Sequence, residues 1–302
     1  MHLTLEAVAA AAAGGLFAAA VGALAAFVLC GLAILVGVGG ALGAGNPWFL
    51  THVALGEWFG PHVAFAGAVA ALAYAARRGK ISSGRDIVTG LVSLADPVTL
   101  LVGAVFGVFG LVVQSALNAS HWMVTYTNTT AITVVASAVV ARLLFGRTGL
   151  FGSSQAAGLR NRLRTTPTAA WLPWQEKPLM AGLLGLAVGF LASWSAVELV
   201  RADPSLGVAA GVLAFGVSAM SLVFLATPVS VPATHHVTSV AAATGLAFSS
   251  VWVGAVAGLA TALIGEGVSR LFLIHADTHI DPPAVAIAVM TPVCLTLATV
   301  LT

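Results

Sequence analysis

The chain has 302 residues, of which 59% are apolar before 33 glycines are counted and only 7% are charged. A soluble protein is about 25% charged, so a water-facing globule, a nucleic-acid binder and a disordered chain are all excluded. A mean hydropathy of +1.03 and long uninterrupted apolar runs read instead as a polytopic helical membrane protein. The runs lack the apolar/polar alternation that barrel strands need.

In chain order, Met1–Glu6 carries no Lys or Arg, so the first apolar run reads as a retained span and not as a cleaved leader. The run Ala7–Gly43 has 37 residues, or about 55 Å as one helix. That exceeds a hydrocarbon core about 30 Å thick, and the run is cut near Gly22-Ala23. Further spans are expected at His62–Ala76, Val98–Leu117 and Thr127–Phe145. A polar, basic linker covers 146–178. The second half offers Leu179–Leu199, Gly207–Leu225, another 37-residue run His236–Phe272 cut near Ser249-Ser250, and Thr278–Leu301. The expected fold is all-α with ten spans, or eight to nine if the two tight turns are absent. The domains are 1–145, the linker 146–178, and 179–302. Cys30 and Cys294 lie inside apolar runs and read as inert buried thiols.

The halves repeat. Residues 101–107 match 252–258 at five of seven positions, an offset of 151. The same register brings Thr127 onto Thr278. Pro61-His62-Val63 falls on His235-His236-Val237 at an offset of 174, and the change of offset falls on the loop Arg77–Asp96. Five spans per copy is odd, so the second copy enters from the opposite face and the repeat is inverted. With both termini outside, 11 of the 12 basic residues lie inside and only Arg201 outside, as the positive-inside rule requires.

Gly103-xxx-Gly107 and Gly254-xxx-Gly258 read as close helix contacts within the chain. The seven tryptophans, Trp171 among them, read as interfacial anchors. Two pairs of polar segments stand out. Asn46–His62, with His52 and Glu57, and Thr227–His236 are broken by Pro and Gly, too short to cross, and read as re-entrant. Paired broken segments in inverted halves point to a transport site. Thr125–Thr130 and His275–Pro283 open the fifth and tenth spans, and helix capping explains their Thr and Asp residues equally well. His275, Asp277, His279 and Asp281 alternate, which could ligate a metal on an extended segment, but the first half has no counterpart. Glu266 and Arg270, four apart, are placed to pair.

Residues 59–67, 75–79, 84–87 and 141–152 resemble a prokaryotic family of multi-span membrane proteins without assigned function. The resemblance lies mainly within 10–152 and implies a bacterial or archaeal cytoplasmic membrane. Two inverted five-span copies with broken segments also resemble the architecture of urea transporters, whose signature motif is absent.

The expected function is a channel or secondary transporter for a small polar or anionic solute, not an enzyme. Neither H-E-x-x-H nor G-x-S-x-G occurs. The alternatives are a structural or assembly partner and, less favoured, a membrane-embedded enzyme. The expected site centres on the matched pair His62 and His236, with His52, Glu57, Thr127, Asn128, His235, Thr278 and Asp281 gathered around them. No cofactor and no nucleic acid is called for. The partners are the bilayer and the solute or ion, and homo-oligomerisation stays open.

Overall fold

The computed structural model describes residues 3–153, 163–166 and 169–302. Among the described residues regular structure is helical, with two isolated bridges and no strand. Six helical segments are long and apolar enough to cross a membrane: Ala23–Ala44, Pro97–Asn118, Pro178–Ala202, Pro204–Ala226, Val251–Phe272 and Pro282–Leu301. The chain is therefore a multi-pass membrane protein in its architecture.

Both long runs break where their length requires it. α1 (Leu5–Val21), capped by Thr4, ends at Gly22 and α2 (Ala23–Ala44) begins at once. Gly22 has φ 103°, a conformation an L side chain resists. The neighbouring Leu24 N–H donates to the Ile87 carbonyl at 2.8 Å, which ties the junction to the 78–96 loop. The second run breaks at Ser249, φ 50°, between α9 (His235–Ala247) and α10 (Val251–Phe272).

The remaining elements are α3 (Ala64–Arg77), α4 (Pro97–Asn118), the short α5 (His121–Tyr126), α6 (Thr129–Phe145), α7 (Pro178–Ala202), α8 (Gly207–Ser221) with a 3-10 extension to Ala226, and α11 (Pro282–Leu301). The helices at the expected third and eighth spans are short. α3 and α9 have 14 and 13 residues, about 20 Å each. The reason is the chain ahead of them. A single π turn at Leu50–Ala54 and irregular backbone precede α3, and unwound, proline-broken backbone at 227–234 precedes α9.

Helix packing is duplicated. α1 packs on α3 and α4, as α7 packs on α9 and α10; α3 meets α6 as α9 meets α11. Between the halves, α2 packs on α8 and α6 on α11. The small residues set this arrangement. A methyl added to Gly107 would stand 2.3 Å from the Ala11 carbonyl oxygen and 3.1 Å from the Gly15 Cα. In the other half a methyl on Gly258 would stand 2.7 Å from the Gly189 Cα and 2.8 Å from the Gly185 carbonyl oxygen. Gly15 to Gly189 and Ala11 to Gly185 both span an offset of 174, and Gly107 to Gly258 spans 151. Gly67, which a methyl would push against the Gly103 oxygen, corresponds at 174 to Ala241, whose carbonyl crowds Gly254. Backbones in lipid approach this closely only over Gly and Ala.

Candidate functional site

A cavity of about 190 Å³ lies between the halves, with walls drawn from both. Its polar rim comes from the openings of α6 and α11. Asn128 caps α6, accepting from Ala131 N–H at 2.9 Å, and Asp281 caps α11, accepting from Ala284 N–H at 2.9 Å. Asn128 and His279 are matched at the offset of 151, as are Thr130 and Asp281. Pro61 and His235, and Phe65 and Ser239, are matched at 174. All eight line the cavity.

The apolar wall is aromatic. Phe27 meets Phe65 and Phe215 edge to face, with centroids 5.6 and 5.8 Å apart, and lies 4.8 Å from the His235 ring. Such pairs contribute about 0.5–1.5 kcal/mol beyond area burial. His279 Nε2 sits 3.3 Å from Asp281 Oδ1. The Nδ1 atoms of His235 and His279 are buried without a hydrogen-bond partner among the described residues. An unmade buried bond costs about 1–3 kcal/mol, so leaving these two nitrogens open is a cost that packing must offset. Trp171 and Leu172 reach in from the linker to complete the lining. They are pinned there because Gln175 bonds both the N–H and the carbonyl of Ala233, each at 3.1 Å.

Of the nine expected site residues, Asn128, His235 and Asp281 meet at the cavity. The others do not gather there. His62 is buried just ahead of α3, its carbonyl against Gly110 of α4 and its ring against Gly60, and neither ring nitrogen has a partner among the described residues. His236 is turned toward Gly265 and Trp171, also without a partner. One residue of helical rotation separates it from His235, so only one of the two can face the cavity. His52 is exposed and stacks on Trp48 at 5.3 Å. Glu57 lies outside the lining, and Thr127 donates to the Met123 carbonyl.

Thr278 is taken up by Arg142. That guanidinium, 1% exposed, donates to Thr278 Oγ1 at 2.8 Å and to the carbonyls of Leu150, Phe272 and Thr278 at 2.7 Å each. It fastens the end of α6 to the α10–α11 turn. Its sequence signal was only that of an inside charge.

Two other expectations are corrected. Glu266 and Arg270 form no ion pair: both Glu266 oxygens are buried and have no partner among the described residues, while Arg270 donates to the Glu176 carbonyl at 2.9 Å. In the alternating His/Asp segment Asp277 accepts from Arg147 N–H and the Thr148 hydroxyl while Asp281 faces His279. Trp171 is a cavity wall, not an anchor. Glu198 and Arg201 do pair, at 2.6 Å.

No curated protein and no solved structure matches the chain. One family matches it twice, over residues 1–161 and over residues 149–302. The two matches together span the whole sequence and divide it where the packing pattern does, so the chain belongs to DUF7973, a family of unknown function, and carries two repeated segments of it.

Proposed function

We propose that the protein is a channel or secondary transporter that moves a small polar solute across a prokaryotic cytoplasmic membrane. The observation that carries this reading is the cavity at the junction of the two repeats, lined at matched positions by residues of both. Binding sites of repeat-built transporters lie at such junctions, bounded by discontinuous helices. Here the short α3 and α9, each entered through broken backbone, supply those boundaries.

In this reading each repeat has five membrane segments, α1–α4 with α6 and then α7–α11, and the second copy is inverted. Both termini face outside and the 146–178 linker faces inside. Unwound backbone at membrane depth is sustained where it borders a cavity. The site consists of Asn128, His235 and Asp281, with His279, Thr130 and Ser239 added, and His236 stands behind it. A protein serving only as an assembly partner has no need of a cavity with buried, unpartnered imidazoles.

The test is flux of small solutes into proteoliposomes. His235→Leu should reduce uptake at least about tenfold, and Asp281→Asn at least a few-fold, while the protein keeps its elution profile and unfolding midpoint. A protein whose uptake never exceeds that of empty vesicles, over a panel of polar solutes, refutes transport.

A further inference from the structure

The cavity's lining narrows the solute class. Among the described residues, Asp281 is the only carboxylate that lines it, and no Lys or Arg does. An anion entering would lose its hydration and meet the Asp281 carboxylate with no Lys or Arg among the described lining residues to offset it, which is costly for a buried charge. The helix N-termini that could otherwise hold an anion are already occupied at α6 and α11, by Asn128 and Asp281 themselves. α9 has no side-chain cap, but its first residue, His235, lines the same cavity as the Asp281 carboxylate.

Asp281 is not fully used. One oxygen faces His279 and the other takes the Ala284 N–H, whereas a carboxylate has about four acceptor sites. Its side chain stays 15% exposed, and the space it faces is the cavity it lines. Beside it His235, 6% exposed, keeps Nδ1 unpartnered. Phe27, Phe65 and Phe215 also line the cavity, packed against the His235 and His279 rings, and such a wall suits an apolar body and also the face of an ammonium group.

Resting on the reading of this cavity as the transport site, we infer that it takes a small solute with an apolar body and a hydrogen-bond-donating head, an amine or an uncharged amide, and excludes anions. The head donates to Asp281 and the body lies against the phenylalanines.

Three probes of one carbon skeleton test this: isobutylamine as its ammonium, isobutyramide, and isobutyrate. Binding to the purified full-length protein is measured by ligand-observed NMR, and uptake by proteoliposomes in parallel. At least one donor-headed probe should bind, with isobutyrate at least tenfold weaker. Asp281→Asn keeps the helix cap, since Asn caps as well as Asp. It should weaken the ammonium about tenfold or more and the amide only a few-fold, which tells the two head chemistries apart. The wild-type comparison needs no variant and so survives a folding defect. Isobutyrate binding as tightly as either donor, or no probe binding, overturns the inference. Asp281-dependent binding without uptake of any solute leaves the inference standing and refutes transport. Uptake that ignores both head group and Asp281 does the reverse.

Discussion

Gly15→Ala tests the close contact on which the first repeat is built. The added methyl would sit 2.2 Å from the Gly103 carbonyl oxygen and 3.0 Å from the Gly107 Cα. Carbon atoms rest at about 3.5–4.0 Å from their neighbours, so α1 and α4 must part by roughly an ångström. The obstacle is backbone, which has no rotamer to turn away. Overpacking of this kind costs about 1–3 kcal/mol, against a gain of at most about 1 kcal/mol from replacing a helical glycine. At the matched position, a methyl on Gly189 would stand 3.0 Å from the Gly258 Cα and 3.2 Å from the Ala255 oxygen, a milder collision. Gly267, in α10, has nothing within 4 Å of an added methyl. Thermal unfolding in detergent should therefore rank the variants Gly15→Ala least stable, Gly189→Ala intermediate and Gly267→Ala equal to or above the parent. A Gly15→Ala protein as stable as Gly267→Ala would refute this account of what sets the helix spacing.

Three other outcomes are expected. In a Cys30→Ala, Cys294→Ala background, Ser205→Cys should react with an impermeant thiol reagent in intact cells and Ser82→Cys only after lysis; labelling of both from one side rejects the inverted arrangement. Arg142→Met strips four bonds to buried acceptors and should destabilise by about 3–5 kcal/mol, with Arg142→Lys losing less; an unfolding midpoint unchanged by Arg142→Met would show the latch to be dispensable. Lys80, 2.6 Å from Asp96, with help from the Thr99 hydroxyl and the Val98 N–H, lowers the Asp96 carboxyl to about 2 from its ordinary 3.8. A depressed carboxyl stabilises the fold above the ordinary carboxylate range, and that contribution disappears as pH falls toward 2. Lys80→Met should move the Asp96 titration, followed by its infrared band, back upward; no movement contradicts the pairing.

The breaks at Gly22 and Ser249 were legible because a 37-residue run is longer than a bilayer is thick, and length needs no tertiary information. The duplication was legible in 101–107 and 252–258 because close helix contacts tolerate so few residue types that both copies kept them. The cavity was legible only in part. Asn128 and Asp281 are helix caps, and capping fixes them at the mouth of a helix whatever surrounds it. Which of His235 and His236 faces inward depends on how α9 is rotated about its own axis, and its polar pattern is too sparse to set that rotation. The roles of Trp171 and Arg142 were not legible, for a different reason. The place of Trp171 is set by the linker folding back onto Ala233 through Gln175, and that of Arg142 by the 273–281 turn closing over it. Both are contacts between residues far apart in the chain.

The two copies share a frame but not a chemistry. At the positions where backbones touch, small residues face small residues in both halves: Gly15 and Gly189, Gly107 and Gly258, Gly67 and Ala241. At the positions that line the cavity the copies part. The first contributes Asn128, Thr130, Pro61 and Phe65, and the second contributes His279, Asp281, His235 and Ser239 in their places. Among the described residues, every ionisable group of the lining therefore belongs to the second half. In a transport cycle of the kind proposed, one repeat rocks against the other about the bound solute. An ionisable cluster built across both repeats would be pulled apart at each stroke. The ionisable groups lie instead on α9 and α11, which pack together within one repeat, so they keep their own geometry while Asn128, Thr130 and the aromatic wall of Phe27 and Phe65 move past them, and the solute's head can stay held as access changes from one side to the other.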